Sequence, residues 1–318
     1  MTPEQFITRH NELIDPSVHV WSWQIPVYLF LGGWVAGNMI LTGYFMLGGR
    51  HTRRSPLLSG VPGFSLVLLS LGMLALFLDL EHKLYVWRLY TTFEWTSPMS
   101  WGAWILVLVY PVLVVTWMVR PPILLEARSQ AVARLSRTLQ ANRPAVRMIG
   151  IGSMVIGIAL GVYTGVLLSS LGARPLWNSG VLGVLFLASG VSAAAAFGHL
   201  VTNHPEERAL TVRIDNIVLA VELGLLALFL LGLLAGSAPQ AEAARLLLGG
   251  PFTAPFWVFV IGLGIVIPLI IQLLAARHLI QHTPIAPIMV MAGGLALRWV
   301  IVSAGQLSHW AHGAMGIH

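Results

Sequence analysis

The composition of this 318-residue chain excludes a water-soluble protein. Hydrophobic residues make up 57% of the sequence and charged residues only 9%, and the mean hydropathy is +0.80, which is far too apolar for a soluble domain of this length. There is no cysteine, so disulfides and thiol-ligated iron–sulfur clusters within the chain are excluded. The formal net charge of +6 comes from basic residues that flank apolar segments, and it therefore indicates membrane topology and no nucleic-acid partner.

Eight apolar segments are long enough to cross a membrane, because about 20 helical residues span a hydrocarbon core of about 30 Å. Their predicted limits are residues 24–47, 61–80, 99–119, 148–170, 179–199, 213–235, 253–274 and 285–304. The sequence thus predicts an all-α integral membrane protein with eight transmembrane helices. Residues 1–22 are polar and the first apolar segment is too long for a signal peptide, so we expect the first helix to be retained.

The arginines predict the orientation of the helices. They are concentrated in the odd-numbered loops, above all in the third loop, residues 120–147. The positive-inside rule then makes the odd loops cytoplasmic and both termini extracytoplasmic, in the cytoplasmic membrane of a bacterium or archaeon. Apolar residues alternate with the arginines of the third loop, which predicts a basic amphipathic helix in contact with membrane lipid.

The rest of the chain is organised around residues 21–38, WSWQIPVYLFLGGWVAGN. Gln24 and Tyr28 are four residues apart and share one face of the first helix. Gly33 and Gly37 form a GxxxG spacing, which lets a neighbouring backbone approach closely. An ordinary aromatic anchor with a packing seam is the alternative interpretation.

Polar residues collect at the predicted outer ends of the second and third helices. Asp79 falls within the second apolar segment, where a carboxylate is costly unless it is paired or functional. His82 follows it, and Ser100 and Trp101 open the third helix. A solvated loop is the alternative for this group.

The fourth helix places Tyr163 in its outer third and Arg174 in the loop that follows. A tyrosine hydroxyl at that depth needs a hydrogen-bond partner from the protein or from a ligand. A core tyrosine is the alternative.

The last four helices carry ionisable residues within apolar segments. Asp215 and Glu222 are seven residues apart on one face of the sixth helix, in its cytoplasmic half, and Arg298 is in the outer third of the eighth. Such residues are costly in a membrane and indicate function, so they are candidates for a proton path to the cytoplasm. A surface cap for Asp215 and snorkelling of Arg298 to water are the alternatives.

Polar groups from four helices therefore converge on the outer third of the membrane, which predicts a pocket with a polar head in the first half of the chain. A quinone fits such a pocket, because it has a lipid tail, two oxygens that need hydrogen-bond partners, and protons to exchange with water. No metal site is predicted.

Several motifs follow one another along residues 20–306: WxWxIPVYLFLGG, LDL followed by SPMSWGAW, YTGVLLS with ARPLW, LFLASG and the terminal RWVIVSAGQ. Together they resemble the NrfD-type family, the membrane subunits of polysulfide-reductase-like complexes. The resemblance implies two four-helix bundles, at residues 24–170 and 171–306, between an extracytoplasmic segment 1–23 and a tail 307–318. It also implies a site for menaquinone or ubiquinone in the first bundle, and neither haem nor an iron–sulfur cluster in this protein.

As partners, the resemblance implies an extracytoplasmic ferredoxin-like iron–sulfur subunit and, in many family complexes, a molybdopterin catalytic subunit. By the resemblance Tyr163 matches a quinone-contacting tyrosine, and Gln24 and Tyr28 form the helix-one wall. We expect Tyr163 and Gln24 to hydrogen-bond the quinone oxygens, and Asp79 and His82 to exchange protons with the outer aqueous phase. Ser100, Trp101 and Arg174 complete the predicted binding residues, which gives a non-catalytic subunit that exchanges electrons with the quinone pool.

Two other functions remain open at this stage. A haem b anchor needs facing histidines within helices, whereas the histidines here are at or beyond helix ends. A secondary transporter agrees with repeated bundles and buried carboxylates, but its site is expected at the membrane midplane, whereas these polar groups gather near the outer face.

Overall fold

The computed structural model of the protein describes residues 21–47, 55–80, 82–170, 174–277, 279, 281 and 283–308. Eight helices in these residues are long and apolar enough to span a membrane, which confirms the predicted all-α fold, and the same residues contain no strand. They are α1 (Gln24–Leu47), α2 (Val61–Asp79), α3 (Pro98–Val119), α4 (Arg143–Ser169), α5 (Val181–Val201), α6 (Pro205–Leu234), α7 (Pro255–Ala276) and α8 (Ile285–Leu307). Of the predicted terminal segments, only residues 21–23 and 307–308 are described.

Two helices begin well before their apolar segments. α4 begins at Arg143, because the side-chain oxygen of Asn142 caps it by accepting the Ala145 N–H at 3.1 Å and a proline occupies the first turn. α6 begins at Pro205 and includes a first turn with two glutamates. Helix starts are thus set by capping residues and proline, whereas the sequence prediction used the limits of the apolar residues.

The eight helices form two closed groups of four. In the first, α1 packs against α2, α2 against α3, α3 against α4, and α4 against α1; in the second, α5 to α8 close a ring in the same way. α1 also packs against α5 and α8, and α4 against α5. The first helix is therefore the element around which both bundles assemble, as the sequence predicted.

Glycines allow α1 and α5 to touch backbone to backbone. A Cβ at Gly37 would overlap the carbonyl oxygen of Gly190 and crowd Ala194, and a Cβ at Gly190 would overlap the Gly33 carbonyl. This confirms the close approach predicted from the GxxxG spacing.

Successive helices alternate in direction, so the bundle has two ends. We call the end where α1 begins the Trp21 end, and the opposite end, where α3 finishes, the Arg120 end; the extracytoplasmic position of the Trp21 end remains a prediction. The short helices Lys83–Tyr85 and Arg88–Thr91 cover the Trp21 end between α2 and α3.

The predicted amphipathic helix of the third loop is present as two pieces, Ile123–Arg128 and Gln130–Ala141. The second piece is held against α3, because Ser136 Oγ and Gln140 Nε2 donate to the Val119 carbonyl at 3.2 and 2.8 Å. Two further features were not predicted. The helix Ala238–Leu248 follows α6, and the first half of α7, Pro255–Val266, is a π-helix.

Candidate functional site

Three tyrosines meet near the Trp21 end of the first bundle. Tyr28 of α1 and Tyr163 of α4 are 2% and 7% exposed, and their phenol groups lie near each other and near Tyr90 of the helix Arg88–Thr91. We call Tyr28, Tyr90 and Tyr163 the tyrosine cluster. It brings together two residues that the sequence predicted to share a site.

A glycine on α3 makes room for the ring of Tyr163. A Cβ at Gly102 would overlap the ring and the hydroxyl of Tyr163, whereas a Cβ at Gly72 of α2 would be in ordinary contact with Tyr28, at 3.7 Å from its Cδ2. Neither hydroxyl is hydrogen-bonded to another described residue. Two phenol donors are therefore held in position by packing alone.

Tyr90 connects this cluster to a pocket on the surface of α2. The pocket has a volume of about 350 Å³ and is lined by Ser70, Met73, Leu74, Leu76, Phe77, Leu80, Val86 and Tyr90. Ser70 and Tyr110 hydroxyls are 3.2 Å apart. Burial and the nearby Tyr110 raise the pKa of Tyr90. A tyrosine hydroxyl is protonated at neutral pH even without such a shift, so Tyr90 is available as a donor.

Gln24 adds a hydrogen-bonding group one turn from Tyr28. Its side-chain Oε1 is buried, and it has no hydrogen-bond partner among the described residues. An unpaired buried amide oxygen is costly unless a ligand or an ordered water satisfies it. The predicted pair Gln24 and Tyr28 thus presents an unused acceptor and an unused donor near the Trp21 end.

Asp79 and His82 lie where α2 ends. Asp79 is the last residue of the helix and is partly exposed, and His82 is exposed directly before the helix Lys83–Tyr85. Both side chains are therefore accessible at the Trp21 end. This placement agrees with the expected exchange of protons there, a role that remains a prediction.

Ser100 and Trp101 hold the connection between α2 and α3. Ser100 Oγ accepts the Glu94 N–H at 3.0 Å, and Trp101 Nε1 donates to the Trp95 carbonyl at 2.9 Å. The hydrogen-bonding groups of these two predicted binding residues are therefore occupied by the loop. Their packing positions the segment that carries Tyr90.

Arg174 contacts the end of α8, and its role in quinone binding stays a prediction. Its Nη1 donates to the Ser308 carbonyl at 3.0 Å, in a contact between the α4–α5 connection and the end of α8. Trp177 nearby stacks on Trp21 with ring centroids 5.1 Å apart and donates from Nε1 to the Ile301 carbonyl. Arg174 therefore contributes to the contact between the two bundles at the Trp21 end.

A second polar cluster surrounds Arg298, which is 0% exposed. Its guanidinium donates to Ser189 Oγ and to the carbonyls of Gly294 and Phe186 at 2.7–2.9 Å. The expected snorkelling to water is wrong. α8 continues to Leu307, so Arg298 lies near the middle of the helix rather than in its outer third, and three internal acceptors take the place of water.

Asp215 and Glu222 extend this cluster along α6 toward the Arg120 end. Glu222 interacts electrostatically with Arg298, and its carboxylate shares the Ser189 hydroxyl with that arginine. Asp215 accepts from Ser192 Oγ and from Gln272 Nε2, both at 2.7 Å. Asp215 is 1% exposed and Glu222 3%, so the alternative of a surface cap for Asp215 is wrong.

A larger pocket opens at the Arg120 end, next to Asn216 of α6. It has a volume of about 690 Å³, and its lining includes Arg208, Val212, Asn216 and Leu273. Asn216 Oδ1 and Gln272 Oε1 are buried without hydrogen-bond partners among the described residues. Unpaired acceptors beside a carboxylate mark the positions where ordered water would bind.

The sequence prediction missed Tyr90, Ser70 and Tyr110 at the first site and Ser189 and Gln272 at the second. Tyr90 lies in the connection between α2 and α3, whose polar sequence is typical of a solvated loop. Gln272 did carry a signal, because it is the one polar residue in the apolar stretch Ile267–Ala276, and an isolated amide in a membrane helix usually has a buried partner.

Comparison with known proteins decides the family. A family model described as "Polysulphide reductase, NrfD" matches residues 9–309. The protein belongs to this NrfD family. This confirms the family that the motifs predicted.

Individual relatives match over nearly the whole sequence. Protein NrfD of Escherichia coli is 33% identical over 310 residues, which cover 91% of the present sequence and 96% of that protein. The C subunit of polysulfide reductase from Wolinella succinogenes is 29% identical over 304 residues, 90% of the present sequence and 94% of that protein. Together with the eight apolar helices, these matches support a multi-pass membrane subunit of a respiratory oxidoreductase.

Proposed function

We propose that this protein is the quinone-binding subunit of a membrane oxidoreductase and exchanges electrons between the quinone pool and an iron–sulfur subunit docked at the Trp21 end. Membership of the NrfD family supports this proposal, and one relative is named as a component of polysulfide reductase. A molybdopterin catalytic subunit would complete the complex. The observation that carries the proposal is the tyrosine cluster, with unpaired Gln24 beside it and a lipid-facing pocket next to Tyr90.

The residues present fit a quinone, which needs donors for two oxygens and an apolar surface for its tail. Tyr28, Tyr90 and Tyr163 supply hydroxyl groups, and Gln24 supplies an amide. The apolar side chains of the 350 Å³ pocket face the tail, and several of them, including Leu74 and Phe77, are exposed to lipid. The quinone would supply the two-electron chemistry that these side chains do not perform.

In this reaction the protein orients the quinone head group and exchanges its protons with water. The ring of Tyr163 packs against Gly102, and its hydroxyl donates a hydrogen bond to the quinone head group. Gln24 binds the same head group from the α1 side. Asp79 and His82 exchange protons with the water at the Trp21 end. With electrons and protons handled at the same end, this part of the reaction moves no net charge across the membrane.

The decisive experiment measures quinol-linked electron transfer in membranes that contain the whole complex. Tyr163→Phe removes the hydroxyl and keeps the ring, and we expect quinol turnover to fall by about tenfold or more, the equivalent of one lost hydrogen bond to a reacting group. Tyr44→Phe is the matched control, because Tyr44 is an exposed tyrosine near the other end of α1. If quinol turnover is unchanged in Tyr163→Phe while an artificial donor reduces the partner subunits normally, α4 does not carry the quinone site.

The buried cluster of the second bundle supports a further proposal, a proton path from the Arg120 end. Asp215 is buried next to Asn216, which lines the 690 Å³ pocket. Asp215 interacts electrostatically with Glu222, which shares the Ser189 hydroxyl with Arg298 near the middle of α8. Two buried carboxylates about two helical turns apart, roughly 10 Å, provide successive positions for a proton. Such a path would let the complex take up protons from the side opposite the quinone site.

Glu222→Gln tests this path, since it keeps the shape of the side chain and removes its acid. In proteoliposomes we expect proton uptake from the Arg120 side to be lost while quinol turnover continues. Glu206→Gln is the control, because Glu206 is exposed in the first turn of the same helix. Proton uptake equal to that of the unaltered complex in Glu222→Gln would overturn the path.

A transporter site is expected at the membrane midplane. Arg298 and its partners lie near the middle of their helices, so the position of the polar groups no longer argues against a transporter. Family membership favours the quinone-binding subunit. Affinity purification separates the two functions. A quinone-binding subunit should be recovered with an iron–sulfur protein, whereas a transporter should be recovered alone.

A further inference from the structure

The Arg120 end of the first bundle contains a basic cavity of about 930 Å³. It lies between the end of α3 and the start of α4, beside the helix Gln130–Ala141. Two arginines, Arg120 and Arg143, and one acidic residue, Glu126, line it. Its described lining therefore has an excess of positive charge.

Ser55, Ser59 and Gln140 also line the cavity, and its apolar residues form two groups. Met46, Leu58 and Val146 are buried and form its floor, whereas Ile123 and Leu124 line it while being 54% and 75% exposed. Exposed aliphatic side chains next to arginines suit a ligand that has both an anionic and an apolar part.

Internal hydrogen bonds hold the wall of the cavity in place. Ser136 Oγ and Gln140 Nε2 satisfy the Val119 carbonyl, and Ser136 Oγ is also 3.2 Å from Glu126 Oε1. Burial lowers the pKa of Arg120, and Glu126 opposes that shift. A guanidinium that is partly removed from water gains more from a nearby anion than a fully hydrated one.

We propose that this cavity binds the head group of an anionic phospholipid, with its phosphate between Arg120 and Arg143 and its acyl chains leaving past Ile123 and Leu124. The cavity lies at the level where four membrane helices begin or end, which is the depth of lipid head groups. Basic pockets between membrane helices are a known way of binding such head groups. The two exposed aliphatic residues favour a lipid over free phosphate, which has no apolar part.

Native mass spectrometry of the full-length protein, in detergent with any subunits that accompany it, measures this binding directly. Phosphatidylglycerol is the probe and phosphatidylcholine the control head group. We expect tighter binding of phosphatidylglycerol, and a loss of about thirtyfold in the variant Arg120→Gln/Arg143→Gln, from about 1 kcal/mol for each basic residue at a membrane surface. The control variant Arg134→Gln/Arg137→Gln removes two arginines of the helix Gln130–Ala141 that do not line the cavity.

Glu126→Gln keeps the test decisive if the double variant fails to fold, because it removes a carboxylate from the cavity and should tighten phosphatidylglycerol binding. Equal binding of the two lipids, equal losses in the cavity and control variants, or weaker binding in Glu126→Gln would each overturn the proposal. Displacement of the lipid by glycerol 3-phosphate at comparable concentration would also overturn it, since that result would identify a free-phosphate site.

Discussion

Arg298 of α8 occupies the space that Gly33 of α1 leaves open: a Cβ at position 33 would lie 2.8 Å from an Nη of the arginine. The guanidinium is also near the rings of Phe30 and Phe186, at 5.8 and 5.0 Å from their centroids. A fully buried cation is thus held by carbonyls, a hydroxyl and aromatic faces where the two bundles meet. The missing side chain of Gly33 thus leaves room for Arg298, whereas the close approach of α1 and α5 depends on Gly37 and Gly190.

Gly33→Ala should therefore destabilise the protein. The added methyl group forces Arg298 out of its three hydrogen bonds or separates α1 from its neighbours, at a cost of about 1–3 kcal/mol. Thermal unfolding of the purified protein in detergent measures this loss. Gly224→Ala in α6 is the control, since a Cβ there meets no heavy atom within 4 Å and alanine favours a helix by up to about 1 kcal/mol. Equal melting temperatures in the two variants would contradict the role of Gly33.

Gly102→Ala tests the tyrosine cluster without removing a hydroxyl. Alanine at this position would overlap the phenol of Tyr163, so the ring must move and its hydroxyl must leave the position that packing gives it. We expect quinol turnover to fall by about tenfold, because small displacements of positioning groups are costly to a reaction. Measured in the same membranes, Gly152→Ala on α4 should be neutral, since nothing lies within 4 Å of a Cβ there. Normal turnover in Gly102→Ala would place the head group away from Tyr163.

The sequence predicted the parts of the fold that depend on the membrane and on local spacing. Eight apolar segments and the pair Gly33 and Gly37 follow from the length of a membrane span and from the helical repeat. Tyr28 and Tyr163 were grouped correctly because alternating helices place both near one end of the bundle. These inferences needed only the depth of each residue in the membrane and the direction of its helix.

The sequence did not predict which polar groups pair with each other. Arg298 reads as a snorkelling residue until α5 supplies Ser189 and the Phe186 carbonyl, and such partners are set by the tertiary packing of helices far apart in the sequence. Arg174 was assigned to the quinone site from its depth, which stays a prediction, and its hydrogen bond to the Ser308 carbonyl was not predicted. Depth along a helix can be read from sequence, whereas the direction of a side chain around the bundle is set by packing.

Gln306 should control the start of α1. Its side chain accepts the Trp21 N–H and donates to the Trp21 carbonyl, both at 2.9 Å, so Gln306→Ala removes two hydrogen bonds worth about 1 kcal/mol each. Hydrogen exchange followed by mass spectrometry should show faster exchange at the Trp21 amide. Ser303→Ala should leave that amide protected, although Ser303 lines, together with Trp21 and Gln306, a pocket of about 210 Å³. Unchanged protection in Gln306→Ala would mean that the stacking of Trp21 on Trp177 alone holds this segment.

Gln272 and Asp215 should behave as a coupled pair. Gln272→Leu leaves the Asp215 carboxylate buried with the Ser192 hydroxyl as its donor, and losing a partner of a buried polar group costs about 1–3 kcal/mol. Asp215→Leu/Gln272→Leu removes both groups, and replacing a buried polar pair by apolar residues is often close to neutral. Thermal unfolding of the two single variants and the double variant gives the coupling energy, expected to be about 0.5–3 kcal/mol for residues in contact. Strictly additive losses would mean that Gln272 packs against Asp215 without stabilising its charge, and the proton path would then lose one of its fixed positions.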